Sequence, residues 1–127
     1  MEQLKNILLI GLGGFIGSIA RYYVSKLNLY WHFFSIPVGT LLVNVAGCLL
    51  IGFLTGIADK STLLPASLRL FLMVGVCGGF TTFSTFANEN LMLLHAGEQV
   101  SILVYTALSV MLGFLAVYLG YVTSNIL

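Results

Sequence analysis

The fold turns on residues 78–89, GGFTTFSTFANE, where two glycines run into a block of hydroxyls and phenylalanines that ends in the carboxylate of Glu89. The chain around this stretch is apolar enough for lipid. Of 127 residues, 59% are hydrophobic and 7% are charged, whereas an ordinary water-soluble domain carries roughly a quarter charged residues. A spanning helix needs about 20 mostly apolar residues, and such segments occur at residues 4–26, 37–57, 68–94 and 101–122. The expectation is an all-α integral membrane protein: one domain, residues 1–127, of four transmembrane helices in a lipid bilayer, the third broken near its middle.

The segment ends carry their own signals. Ser35 can cap and Pro37 can open the second helix, Asp59-Lys60-Ser61 closes it, and Pro65 starts the third. Tyr22, Tyr23, Tyr30 and Trp31 gather at the first turn, and Tyr118 and Tyr121 lie late in the last span, as interfacial anchors do. His32 and His95 fall in the same zones, with no second ligand at a useful spacing. Lys5 before an apolar run and the Ser18-Ile19-Ala20 sequence imitate a signal peptide, yet the first segment is expected to be retained. Cys48 and Cys77 stand alone in apolar runs, which suggests packing rather than a disulfide or zinc site. A net charge of +1 offers no basic patch for nucleic acid.

Four spans put both termini and the second connection on one side with Lys5, Lys60 and Arg69; Lys26 and Arg21 are left for the other. Orientation normally follows a clear Lys and Arg excess on the cytoplasmic side. Near balance permits insertion both ways, and with it an antiparallel homodimer. Gly13/Gly17 and Gly52/Gly56 form G-x-x-x-G pairs, which let helix backbones approach closely in lipid. Gly13, Gly17 and Arg21 share one face, so a helix packed there would carry Arg21 toward the protein interior.

Ionisable groups at membrane depth are costly enough to mark function. Arg21 and Glu89 are the candidates, each of which could instead sit near the surface, Arg21 by snorkelling. Thr40 and Asn44 stand one helical step apart, as do Tyr105, Ser109 and Gly113. Singly these serve interhelical hydrogen bonds; together they can line a pathway. Gly75, Gly78 and Gly79 weaken the third helix ahead of Thr81 and Thr82, and a break there frees backbone groups that must be satisfied at membrane depth. Freed carbonyls hold cations in transport proteins, and the N-terminal end of a resumed half-helix favours anions. Phe80, Phe83 and Phe86 recur every three residues, fitting one helical face. Beside Thr82, Ser84 and Asn44 their positive ring edges can meet an anion without the grip of a full charge.

The motifs GGFIGSIARY at 13–22, GTLLVNVAGC at 39–48 and GVCGGFTTFSTF at 75–86, followed by Glu89, make the chain closely resemble the Fluc fluoride channels, also called the CrcB family. The resemblance covers essentially the whole chain. It implies a passive fluoride channel in the bacterial inner membrane that exports fluoride and confers fluoride resistance, built as a dual-topology antiparallel homodimer with two pores. It implies ring-edge roles for Phe80 and Phe83, an amide role for Asn44, and a polar track of Tyr105 and Ser109, with Thr40, Thr82, Ser84 and Glu89 close to it. Arg21 would lie in a positive vestibule. The carbonyls of Gly75 and Gly78, with the same pair from a second copy, would hold a structural sodium ion. Gly113 departs from the pattern, standing where some relatives have another hydroxyl.

The rival reading is a proton-coupled cation exchanger of the small multidrug-resistance type, also four-span and dual-topology. Such exchangers rely on a glutamate within the first helix; here no acid follows Glu2 in that segment. An enzyme is not expected, since paired acids, a nucleophile with its base, a metal cluster and a P-loop are all missing from the sequence.

Overall fold

The computed structural model describes residues 1–60 and 63–127. Helix α1 (Glu2–Ser25) runs into a tight 3-10 turn, Lys26–Leu29. Two short antiparallel strands follow, β1 (His32–Phe33) and β2 (Ile36–Pro37), with Phe33 opposite Ile36. Phe34 and Ser35 between them have φ of 51° and 59°, the pair of positive values that a two-residue hairpin of primed type demands. Helix α2 (Val38–Lys60) then crosses back. The turns Ala66–Arg69, Leu70–Cys77 and Gly78–Phe80 run end to end as α3 (residues 66–80), the middle part widened to i→i+5 hydrogen bonding. After Thr81, helix α4 (Ser84–His95) resumes, and α5 (Gln99–Ile126) completes the chain.

Four helical stretches are thus long and apolar enough to cross a membrane: Glu2–Leu29, Val38–Lys60, Ala66–His95 and Gln99–Ile126. Each extends beyond the expected bounds at one end or both, because polar end residues such as Glu2 and Lys60 join the last turns. Two boundary signals are corrected. Ser35 does not cap α2, since it sits in the hairpin, and Pro37 closes the hairpin rather than opening the helix. The stop at Asp59-Lys60-Ser61 is described as far as Lys60; Ser61 lies outside the described residues.

Packing follows the glycines. Helix α1 lies on α3 and α2 on α5. A methyl group at Gly17 would come within 2.8 Å of the Phe80 nitrogen, and one at Gly75 within 2.8 Å of the Gly13 Cα. On the second pair, Gly52 meets the Val117 carbonyl, Gly56 meets Ser124, and Gly120 of α5 meets Leu49 and Phe53 of α2. Side chains here would hold the backbones apart, so dispersion between backbones replaces the hydrophobic drive that lipid removes. Gly97, with φ 75°, ends α4: the Glu98 N–H reaches the Leu93 carbonyl at 2.9 Å and the Gly97 N–H reaches Leu94 at 3.1 Å, a Schellman closure.

The ends of the bundle are tied by side chains onto exposed carbonyls. Lys60 Nζ donates to the Ser124 carbonyl at 2.8 Å, and Arg69 donates to Leu64 and Ala58 at 2.9 and 3.1 Å. Lys60 ends α2 and Arg69, in the first turn of α3, reaches back to Ala58 near that same end, where the aligned peptide dipoles are negative. At the opposite end Ile36, Leu93 and Tyr105 form a buried cluster with Phe86 and Leu108 packed on it.

Candidate functional site

Two sites grow out of the interruption between α3 and α4. Thr81 is extended, with φ −83° and ψ 159°, although its N–H and its hydroxyl both still reach the Cys77 carbonyl, at 3.0 and 2.8 Å. Helical bonding lapses at the next residue. In a continuous helix the Thr82 N–H would serve the Gly78 carbonyl; instead it donates to Asn44 Oδ1 at 2.8 Å, and Asn44 Nδ2 donates back to the Thr82 carbonyl at 2.9 Å. One carboxamide thus replaces a peptide partner on both sides, which is how freed backbone is satisfied at membrane depth. Thr82 Oγ1 then accepts the Thr85 N–H at 3.1 Å and caps α4, with Ser84 Oγ 3.4 Å away.

This interruption opens on a groove of about 390 Å³ whose walls include Asn44, Cys48, Cys77, Gly78, Thr82, Phe83, Phe86 and Ser109. Phe83 is 78% exposed. Its ring lies 5.7 Å from that of Phe86, which meets Tyr105 edge to face at 5.0 Å. Ser109 Oγ is buried and has no hydrogen-bond partner among the described residues. An apolar groove with a spare hydroxyl and aromatic edges suits a small, weakly held solute better than a tightly coordinated one.

The second site is a carboxylate held by three donors. Tyr105 OH donates to Glu89 Oε1 at 3.0 Å, Thr40 Oγ1 to Oε2 at 2.9 Å, and Asn28 Nδ2 to Oε2 at 3.4 Å. Thr40 and Tyr105 are 1% and 0% exposed. Glu89 is half-buried and also faces a second cavity of about 290 Å³ beside Asn28, His32 and Ser35.

The structure therefore brings the stripe of α2, Thr40 and Asn44, and the stripe of α5, Tyr105 and Ser109, onto the same segment, 82–89. Gly113, next on the α5 stripe, is buried against α2; a methyl group there would stand 3.6 Å from Cys48 Sγ. Arg21 is half-buried, one turn beyond Gly17. Gly75 is pressed on α1 with its carbonyl taking the Gly78 N–H, while Gly78 faces the groove with open space around its Cα.

One expectation is corrected. Phe80, Phe83 and Phe86 do not share a face, because extended Thr81 rotates the chain between the first and the other two. Phe83 and Phe86 line the groove, whereas half-buried Phe80 lies near Gly17 and Gly47. One contributor was missed, Asn28 as a partner of Glu89. A threefold spacing could not show where the helix stops, and an isolated asparagine in a turn carries no signal of a partner 61 residues away.

These features define a multi-pass α-helical membrane protein with a largely apolar groove carrying a few polar groups and a half-buried, hydrogen-bonded acid. The chain belongs to the family described as "CrcB-like protein, Camphor Resistance (CrcB)", whose model matches residues 8–121. Its relatives include proteins named "Fluoride-specific ion channel FluC" from Azobacteroides pseudotrichonymphae, 41% identical with 97% of this chain and 98% of the relative covered, and from Chlorobium phaeobacteroides, 46% identical with 94% and 92% covered. A third of that name, from Phocaeicola vulgatus, is 44% identical with 92% and 96% covered.

Proposed function

We propose that the chain forms a fluoride-selective passive channel that lets fluoride leave the cytoplasm and so limits its toxicity. The observation that carries the reading is near full-length similarity to relatives named for fluoride conduction, at 41% to 46% identity. Acid chemistry supplies the need: HF crosses membranes uncharged, ionises in a near-neutral cytoplasm and is trapped there, and an anion channel lets it leave down its gradient. Such a protein belongs in a bacterial inner membrane.

The path runs along Asn44, Thr82, Ser84, Ser109, Tyr105 and Thr40, with the rings of Phe80 and Phe83 offering edges to the dehydrated anion. Asn44 spends its amide on the Thr82 peptide, so it acts by holding that backbone open. Ser109 keeps a hydroxyl to give, and Arg21 attracts anions to the mouth. Glu89 takes the hydroxyl protons of Thr40 and Tyr105, so these two hold the acid at the edge of the path. Because Phe80 leaves by another face than Phe83, one chain alone does not present both rings to one groove. That favours two copies in an antiparallel homodimer with two pores, each lined by both subunits.

A structural sodium ion fits this arrangement in part. The Gly78 carbonyl loses its helical donor to Asn44 and lies at an open position, whereas the Gly75 carbonyl already accepts the Gly78 N–H. Two carbonyls are too few for a hard cation, so the same pair from a second copy would complete the set, and the ion would neutralise carbonyl dipoles where the two subunits meet.

The test is anion efflux from liposomes holding the purified chain, loaded with fluoride or with chloride, with a potassium ionophore to dissipate the voltage. Rapid fluoride loss with chloride retained is expected. Retention of both anions, with a proton gradient driving organic cation uptake, would replace this reading with the exchanger.

A further inference from the structure

We propose that Asn28, in the turn after α1, is a positioning residue that fixes the hydrogen-bonding direction of Glu89 and thereby helps set the rate of anion passage. The rate part rests on the channel reading; the positioning part stands on geometry alone. Asn28 Oδ1 accepts two backbone N–H groups at the start of α2, Gly39 at 2.6 Å and Thr40 at 3.2 Å. Only an oxygen can accept them, so the orientation of the carboxamide is fixed by chemistry. Its Nδ2 must then face the other way, where it lies 3.1 Å from Thr40 Oγ1 and 3.4 Å from Glu89 Oε2.

This has a directional consequence. A threonine hydroxyl has one proton to give, and with Asn28 donating to Thr40 Oγ1 that proton is directed to Glu89 Oε2, 2.9 Å away. Tyr105 occupies the other oxygen. One side chain therefore caps a helix and aligns the donor that holds the acid. Asn28, Glu89, His32 and Ser35 also share the cavity at the hairpin end, so a carboxylate released by Asn28 has room to turn into it, where its charge would oppose an arriving anion.

The substitutions separate the two duties. Asn28→Asp keeps an acceptor oxygen for the two α2 N–H groups but turns a second oxygen, in place of the amide donor, toward Thr40 and Glu89, whereas Asn28→Ala removes both functions. In the full-length protein reconstituted with isotope-labelled glutamate, the Glu89 infrared band is assigned by its loss in Glu89→Gln. Both Asn28 variants are expected to shift that band and to lower fluoride efflux roughly tenfold, the effect of one hydrogen bond to a charged group. Thermal stability is expected to fall in both, in Asn28→Ala because the start of α2 loses its acceptor and in Asn28→Asp because two carboxyl groups then face each other. A Glu89 band unmoved in both variants overturns the positioning role. A shifted band with wild-type efflux overturns the link to rate. If the wild type itself passes no fluoride, the channel reading fails, while the infrared band still decides what Asn28 does.

Discussion

At the residue scale, the exchange of hydrogen bonds between Asn44 and the Thr82 peptide is the contact on which the groove depends. Asn44→Ala leaves a buried N–H and C=O without partners, a loss of about 1–3 kcal/mol for each group. It is expected to lower the thermal midpoint in detergent and to reduce fluoride efflux in liposomes, and Asn44→Asp, which sets a carboxylate oxygen against the Thr82 carbonyl and a charge on the groove, is expected not to restore efflux. Phe83→Ile removes a ring that packs little, being 78% exposed, and takes with it the positive edge that only an aromatic provides. Its expected outcome is a sharp loss of fluoride efflux with the protein still folded and assembled; normal efflux would remove the ring-edge mechanism. Thr40, Asn44, Tyr105 and Ser109 were legible in the sequence because polar groups at helical spacing stand out in an apolar span. Asn28 was not, because a turn is polar for many reasons and its bonds run to α2 and α4 through space.

At the element scale, the third segment shows what glycines and hydroxyls each contribute. Glycines before a run of hydroxyls announce a weak helix, yet the lapse falls at Thr81 and Thr82, after the glycines, where hydroxyl and asparagine partners can take over the freed bonds. The glycines themselves serve close packing: Gly75 and Gly79 lie on the backbone of Gly13 and Gly14. The G-x-x-x-G pairs showed where helices meet, while the partner of each remained open until the fold paired α1 with α3 and α2 with α5. Gly17→Leu has no space against Val76 and Phe80 and is expected to unfold or misassemble the protein, seen as loss of a single peak in size-exclusion chromatography. Gly113 differs, since a methyl group there meets only Cys48 Sγ at 3.6 Å, an ordinary contact. Gly113→Ser should fold with little change in thermal midpoint, and it extends the hydroxyl track beyond Ser109. Equal or faster fluoride efflux is expected; a collapse of efflux would place Gly113 outside the track.

At the scale of the whole molecule, the decisive quantity is the charge balance across the bilayer. Lys5, Lys60 and Arg69 share one end with both termini, and Lys26 and Arg21 are near the other. Insertion reads these charges before the helices have packed, so the bonds that later hold Lys60 and Arg69 to carbonyls do not cancel their effect on orientation. A margin of one or two cations permits both orientations, and the proposed antiparallel dimer needs both. Adding five lysines at the exposed turn around Gly97 should outnumber the other end and drive nearly all copies one way, and adding two near Lys5 should drive them the other. Each variant alone is then expected to lose fluoride efflux, because its antiparallel partner is missing, and co-expression of the two should restore it. Labelling of an introduced cysteine, in a chain freed of Cys48 and Cys77, follows orientation independently of transport. Undiminished efflux from a variant shown by labelling to insert one way would mean that parallel copies or a single chain conduct, and Phe80 and Phe83 would then need different partners from those proposed.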